Sequence, residues 1–120
     1  MTLIYNIEPS HIDIIFKQGD TINKSFDVYK WDDILQDWVL FDMTGMRLDI
    51  KFRRKDGLLV KNFSSAGIGA AITIIATAYN LYEIAGFSFV DVLDYDVQCT
   101  DGSDVFTIQE GEAKIKKQIT

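Results

Sequence analysis

One cysteine, one proline and one histidine are all that the 120 residues hold of those types. A single thiol, Cys99, excludes an intrachain disulfide and a cysteine-rich zinc site. Its place in an alternating stretch predicts a small buried hydrophobe rather than a reactive thiol. The chain is therefore expected to be made in a reducing compartment, or assembled into a particle there. With His11 the only histidine, a Ser-His-Asp or Cys-His arrangement would have to use it, and no partner is evident. The lone Pro9 excludes a Pro-rich linker array. Basic residues are short as well: 12 Lys and Arg against 18 Asp and Glu give a net charge of −6. A broad nucleic-acid surface needs clustered Lys and Arg, and so does an anionic membrane surface; neither partner is expected. The stretch from Ile68 to Ile84 is fairly apolar, but Thr73, Thr77, Asn80 and Glu83 interrupt it and it falls short of a membrane span. The N-terminus lacks the basic region and long apolar core of a secretory signal.

What is present is alternation. Hydrophobic residues make up 48% of the chain, enough for a core, and the length fits one domain. The strongest stretch is Asp94-Tyr95-Asp96-Val97-Gln98-Cys99-Thr100, with Tyr95, Val97 and Cys99 on one face and Asp94, Asp96 and Gln98 on the other. Asp101-Gly102 opens a tight turn. In the returning strand, the pair Phe106 and Ile108 is out of phase with Ala113 and Ile115. One extra residue near Gly111 would restore register, which predicts a β-bulge there.

The earlier segments read as shorter strands. Ile12, Ile14 and Phe16 share a face; after a turn at 17–20, Phe26 and Val28 point inward, and the two runs predict a first antiparallel pair. Residues 31–38 read as a loop or excursion. Val39–Phe41 is a short strand, and Asp42-Met43-Thr44-Gly45 is a turn. Met46, Leu48, Ile50 and Phe52 alternate with Arg47, Asp49, Lys51 and Arg53, the pattern of a half-buried antiparallel strand. Leu58–Phe63 returns after Asp56-Gly57. Residues 64–70 form a loop and 71–75 a strand. Residues 76–85 fit either a helical turn or a bent strand. Phe87, Phe89 and Val92 predict one more strand. The sum is an all-β, immunoglobulin-like antiparallel β-sandwich of about seven to nine strands. Residues 12–120 make the domain and residues 1–11 an N-terminal extension or docking arm.

No catalytic, cofactor-binding or metal-ligating constellation emerges. The acids of Trp31-Asp32-Asp33-Ile34-Leu35-Gln36-Asp37-Trp38 lack the regular spacing of a calcium loop. Gly67-x-Gly69 is far from a dinucleotide fingerprint and has no βαβ unit around it. Asp94, Asp96, Asp101 and Asp104 cluster near one hairpin and are the sole motive for an acidic-site hydrolase; alternation puts Asp94 and Asp96 on the solvated face. The candidate functional residues are partner-binding ones. Leu3, Ile4, Tyr5 and Ile7 are apolar for a terminus, and such segments dock either as an edge strand on their own domain or as an arm on a neighbouring subunit. Trp31 and Trp38 cap the core or face a partner, and exposed coplanar rings there would stack on a sugar.

Taken together the motifs resemble a family. Phe16-Lys17-Gln18-Gly19-Asp20, then Phe26, then Asp42-Met43-Thr44-Gly45 leading into Ile50-Lys51-Phe52-Arg53, then Gly57 before a strand recur in that order in small tail-phage virion domains. Asp94-Tyr95-Asp96-Val97-Gln98, Asp101-Gly102, Thr107-Ile108-x-x-Gly111 and the final Ile119-Thr120 complete the set. The whole, over roughly residues 12–120, resembles the N-terminal domain of phage baseplate upper proteins and related tail or head-fibre attachment domains. Phe87 to Leu93 stands where those domains often carry a Gly-x-Tyr step. The resemblance implies an Ig-like sandwich without catalytic residues, made in the host cytoplasm and resident in the virion. It implies other virion proteins and further copies of the chain, in a ring or trimer, as partners. Many relatives continue into a fibre or receptor-binding region; ending after the domain favours a stand-alone adaptor. A carbohydrate- or receptor-binding fibre module is the alternative.

Overall fold

A computed structural model describes residues 9–117. Among them there is no helix, and eleven strands run in chain order: β1 (Ser10–His11), β2 (Ile14–Lys17), β3 (Ile22–Asp27), β4 (Tyr29–Asp32), β5 (Asp37–Leu40), β6 (Arg47–Arg53), β7 (Leu59–Ser64), β8 (Ile72–Ile75), β9 (Ala78–Glu83), β10 (Asp91–Asp101) and β11 (Asp104–Lys116). The larger sheet has the order β1-β11-β10-β6-β7, with β2 also on β11; the smaller is β3-β9-β8; β4 and β5 form a separate hairpin.

The all-β expectation is met, and β6 and β10 have the predicted faces. Leu48, Ile50 and Phe52 are buried on β6, and Leu93, Tyr95, Val97 and Cys99 on β10. On the outer face the register sets Arg53 opposite Asp94 and Lys51 opposite Asp96, cross-strand charge pairs that suit a solvated surface. Ile22, Ile72, Tyr79 and Leu81 of the smaller sheet enter the same core. Phe52 lies at its centre, its ring 5.3 Å from Phe87 and 5.9 Å from Phe63, both edge to face. Such pairs add to the burial of their apolar area.

Several expectations need correction. The strands exceed the seven to nine expected, because residues 29–40 form a hairpin and the N-terminal run splits in two. β2 and β3 do not pair with each other. β2 lies parallel to β11, with Ile14 opposite Ala113, and β3 lies antiparallel to β9 in the other sheet. The connection is tied down differently at each step: Gln18 N donates to Lys116 O at 2.8 Å and Gly19 N to Phe87 O at 2.8 Å. The chain thus passes from one sheet to the other instead of folding back. Residues 76–85 are not helical; a short turn at Ala76 and Thr77 joins β8 to β9. Phe87 is buried and Phe89 packs against the core, but neither belongs to a strand, and β10 begins only at Asp91.

The bulge exists three residues from its expected place. Val97 pairs with Gln109 and Gln98 with Thr107, so Ile108 is the extra residue of β11. Ile108 and Gln109 therefore both point inward, at 1% and 2% exposure. Gly111 has another task. A Cβ on it would lie 2.2 Å from the Ile12 carbonyl oxygen. Here Ile12 and Asp13 cross β11 between the β1 and β2 pairings: Ile12 N donates to Glu110 O, and Glu112 N to Asp13 Oδ1, each at 2.9 Å. Only glycine admits so close an approach of two backbones.

Candidate interaction surface

The β4–β5 hairpin projects from the place where Val28 and Phe41 are anchored. Both are buried. Val28 N donates to Thr77 O, Phe41 N to Val28 O and Met43 N to Ala76 O, at 2.8–2.9 Å. At the far end Asp32 Oδ1 accepts the amides of Ile34 and Leu35 at 2.9 and 3.0 Å, an Asx turn that reverses the chain without glycine. Gln36 takes the left-handed conformation, φ 53°.

Register puts Tyr29 opposite Leu40 and Trp31 opposite Trp38, so these four share one face of the hairpin. The indoles meet edge to face, centroids 5.6 Å apart and planes at 73°. Tyr29 is 41%, Leu40 50% and Trp38 44% exposed, and Ile34 and Leu35 at the tip stand further out. Trp31 is half-buried. A groove of about 430 Å³ runs beside this face, lined by Pro9, Ser10, His11, Tyr29 and Trp38. Of the residues expected to bind a partner, the structure brings Trp31 and Trp38 into contact. Leu3, Ile4, Tyr5 and Ile7 lie outside the described residues. Ser10 and His11, assigned to the extension by sequence, form β1 on the chain's own β11.

The candidate acids do not converge. Asp94 is opposite Glu112 near one end of β10, and Asp101 opposite Asp104 at the other; seven residues of strand separate the ends by roughly 23 Å. Lys55 Nζ bridges Asp94 at 2.5 Å and Glu112 at 2.6 Å, and hydrogen bonds to these two carboxylates raise its pKa. Among the described residues no three His, Cys, Asp or Glu are grouped to hold a metal ion. His11 Nε2 lies 3.2 Å from Asp13 Oδ1, both side chains largely exposed. Cys99 is fully buried, and burial, aided by the Asp101 carboxylate, pushes its thiol up to about 11. A thiol so protonated is a poor nucleophile.

Sequence reasoning missed a buried polar chain. Tyr79 O–H donates to Gln109 Oε1 at 2.7 Å, Gln109 Nε2 donates to Tyr95 Oη at 2.9 Å, and Tyr95 O–H donates to the Ile12 carbonyl. It links the smaller sheet, the larger sheet and the segment between β1 and β2. Every buried side-chain polar atom among the described residues has a partner, and this chain satisfies the three largest such groups in the core. The signal for it was the phase slip in β11, which had to turn some polar residue inward. The hairpin also had a signal: Trp31 and Asp32 mirror Trp38 and Asp37 about the turn.

No protein-family model matches this chain, and no curated protein matches it.

Proposed function

We propose that this chain is a non-enzymatic structural subunit of a bacteriophage particle. In this reading its two sheets form an immunoglobulin-like sandwich that joins tail, baseplate or head-fibre components through protein–protein contacts. It acts in the virion after synthesis in the host cytoplasm. Its partners are other virion proteins and further copies of itself in a ring or trimer; no cofactor, nucleic acid, membrane or small-molecule substrate takes part. The ordered motif set described above points to that setting. The observation that carries the contact role is the β4–β5 hairpin: five large apolar side chains, Tyr29, Ile34, Leu35, Trp38 and Leu40, are exposed on one projection. Apolar surface concentrated in this way, with aromatic anchors, fits a protein interface. The geometry favours this over a sugar platform, since the two indoles meet edge to face and not side by side.

Mass spectrometry of purified particles of the encoding phage tests the proposal. The chain is expected there in a fixed ratio to a tail, baseplate or fibre protein. Its absence from intact particles would sink the proposal. Binding to a glycan array that disappears with Trp38→Ala would instead favour the receptor-binding alternative.

A further inference from the structure

β8 is the outer strand of the smaller sheet and pairs only with β9. Its residues, Ile72, Thr73, Ile74 and Ile75, are all β-branched and none is charged. The other edges of similar length in the two sheets carry charge: Lys17 on β2, Lys24 and Asp27 on β3, Lys61 on β7. Charge on an edge guards against pairing with another chain, and β8 lacks it. Tyr82 N donates to Ala71 O. By alternation Ala71, Thr73 and Ile75 bond toward β9, and Ile72 and Ile74 turn their N–H and C=O groups outward. We propose that this edge takes a second copy of the chain, the two β8 strands running antiparallel about a two-fold axis at Thr73 and joining the two smaller sheets into one.

The occupant follows from charge and register. Copies with a net charge of −6 meet at least cost where neither carries charge. Beside Thr73 and Ile75 the outer face presents Asn80 and Ala78, and the charged residue of β9, Glu83, stands at its end. Ile75 is 66% and Tyr82 50% exposed. Setting Ile72 opposite Ile74 of the second copy, and Ile74 opposite its Ile72, lets each of these residues use both outward groups. Thr73 then faces Thr73, a favourable cross-strand pair. Ile75 of one copy comes into line with Ala71 and Tyr82 of the other, so an apolar row crosses the junction at each end. The ladder stops at Ala76, whose carbonyl already accepts from Met43 N at 2.9 Å. The hairpin takes no part in this contact. The inference goes beyond the virion reading and does not depend on it: strand pairing is a property of the chain in solution.

Full-length protein carrying Trp38→Ala is the parent for the test, since that change weakens association through the hairpin. Sedimentation across a concentration series is expected to show a monomer–dimer equilibrium. Thr73 is exposed, so Thr73→Lys and Thr73→Glu should melt as the parent does. Each alone sets like charges opposite one another and is expected to weaken the dimer by roughly tenfold or more. An equal mixture sets Lys against Glu and is expected to restore it. A second measurement reads the register. Thr73→Cys, oxidised by glutathione disulfide, is expected to give a covalent dimer, because directly opposite residues have Cβ atoms about 4.5–5.5 Å apart. Ile75→Cys is expected to give none, since the two positions lie roughly 14 Å apart along the strands. Cys99 is fully buried and stays out of the reaction. A parent that is monomeric throughout and whose Thr73→Cys form does not cross-link overturns the proposal. So do single variants that associate as the parent does, a mixture that fails to recover, or equal cross-linking at both positions. Whether the chain is present in particles is decided separately by mass spectrometry.

Discussion

Gln109 shows what one polar side chain does in this core. Its amide both accepts from Tyr79 and donates to Tyr95. Gln109→Leu keeps the volume near constant but leaves two phenol groups without their amide partner. A buried polar group stripped of its partner costs about 1–3 kcal/mol, and denaturant unfolding should show a loss of that size with an unchanged m-value. Gln109→Glu should cost more, since an ionised carboxylate accepts from Tyr79 but has no proton for Tyr95 and brings a charge inside. The same environment sets an alkaline limit. Burial raises the pKa of Tyr79 and of Tyr95 above the ordinary 10.0, and that of Cys99 from 9.0 to about 11. Each group holds its proton more tightly folded than unfolded. Its contribution is therefore complete below the unfolded value and is lost as pH rises from that value through the folded one. Stability should decline from about pH 9, first through Cys99 and then through the tyrosines. Cys99→Ala, less stable at neutral pH, should show a shallower decline between pH 9 and 10. An equal slope in both proteins would contradict the assignment. Asp42 acts at the other end: hydrogen bonds from the Thr44 hydroxyl and amide lower its pKa below 3.8, so its contribution is present above that value and lost as pH falls through the folded one.

At the scale of the element, β11 decides the architecture, since β1, β2 and β10 all pair with it. Gly111 is where that crowding is tightest. In Gly111→Ala the new methyl would meet the Ile12 carbonyl oxygen at 2.2 Å, and one backbone has to move. Overpacking of this kind costs about 1–3 kcal/mol. Amide exchange should quicken at Ile12 and Glu112, whose hydrogen bonds span the crossing; exchange unchanged at both would show that the crossing is not tight. Much of this element was legible beforehand. The alternation of 94–100 fixed which side chains enter the core, and the slip between Ile108 and Ala113 required a bulge. Its exact position was not legible, because any residue from 108 to 112 restores the phase equally well on paper; the Tyr79 and Tyr95 hydroxyls select an inward Gln109. Pairing was also hidden. A period of two tells which face of 14–17 is apolar but not that its neighbour is Ala113–Lys116, about a hundred residues away. Within the hairpin at 29–40, residues 31–38 read as a loop or excursion because the turn has no glycine, Asp32 and Gln36 doing that work. At Phe87 and Phe89 two aromatics in step looked like a strand, although only their burial, and not a ladder, is required of them. For the interaction surface, the sequence named both tryptophans but could not show that they touch, or that Pro9 lies beside Trp38.

For the whole molecule, charge and apolar surface pull in opposite directions. Copies with a net charge of −6 repel one another, while the hairpin offers desolvation. Association through this face should therefore tighten with added salt, which screens the repulsion and leaves apolar burial intact. Trp38→Ala separates the two contributions. Within the domain it removes the edge-to-face contact with Trp31, worth about 0.5–1.5 kcal/mol, so the variant should fold with a slightly lower melting temperature. At an interface, truncating a central aromatic anchor costs about 2 kcal/mol or more, roughly a thirtyfold loss of affinity. Leu58→Ala is the matched control, since Leu58 is 56% exposed but lies in the connection before β7 and not on the hairpin. Light scattering across a concentration and salt series, or titration with a virion partner, reads both variants. The expected result is weakened association for Trp38→Ala, with salt dependence retained, and none of that loss for Leu58→Ala. If the two variants associate alike, the hairpin is not the contact surface, and exposed strand edges such as β7 become the place to look.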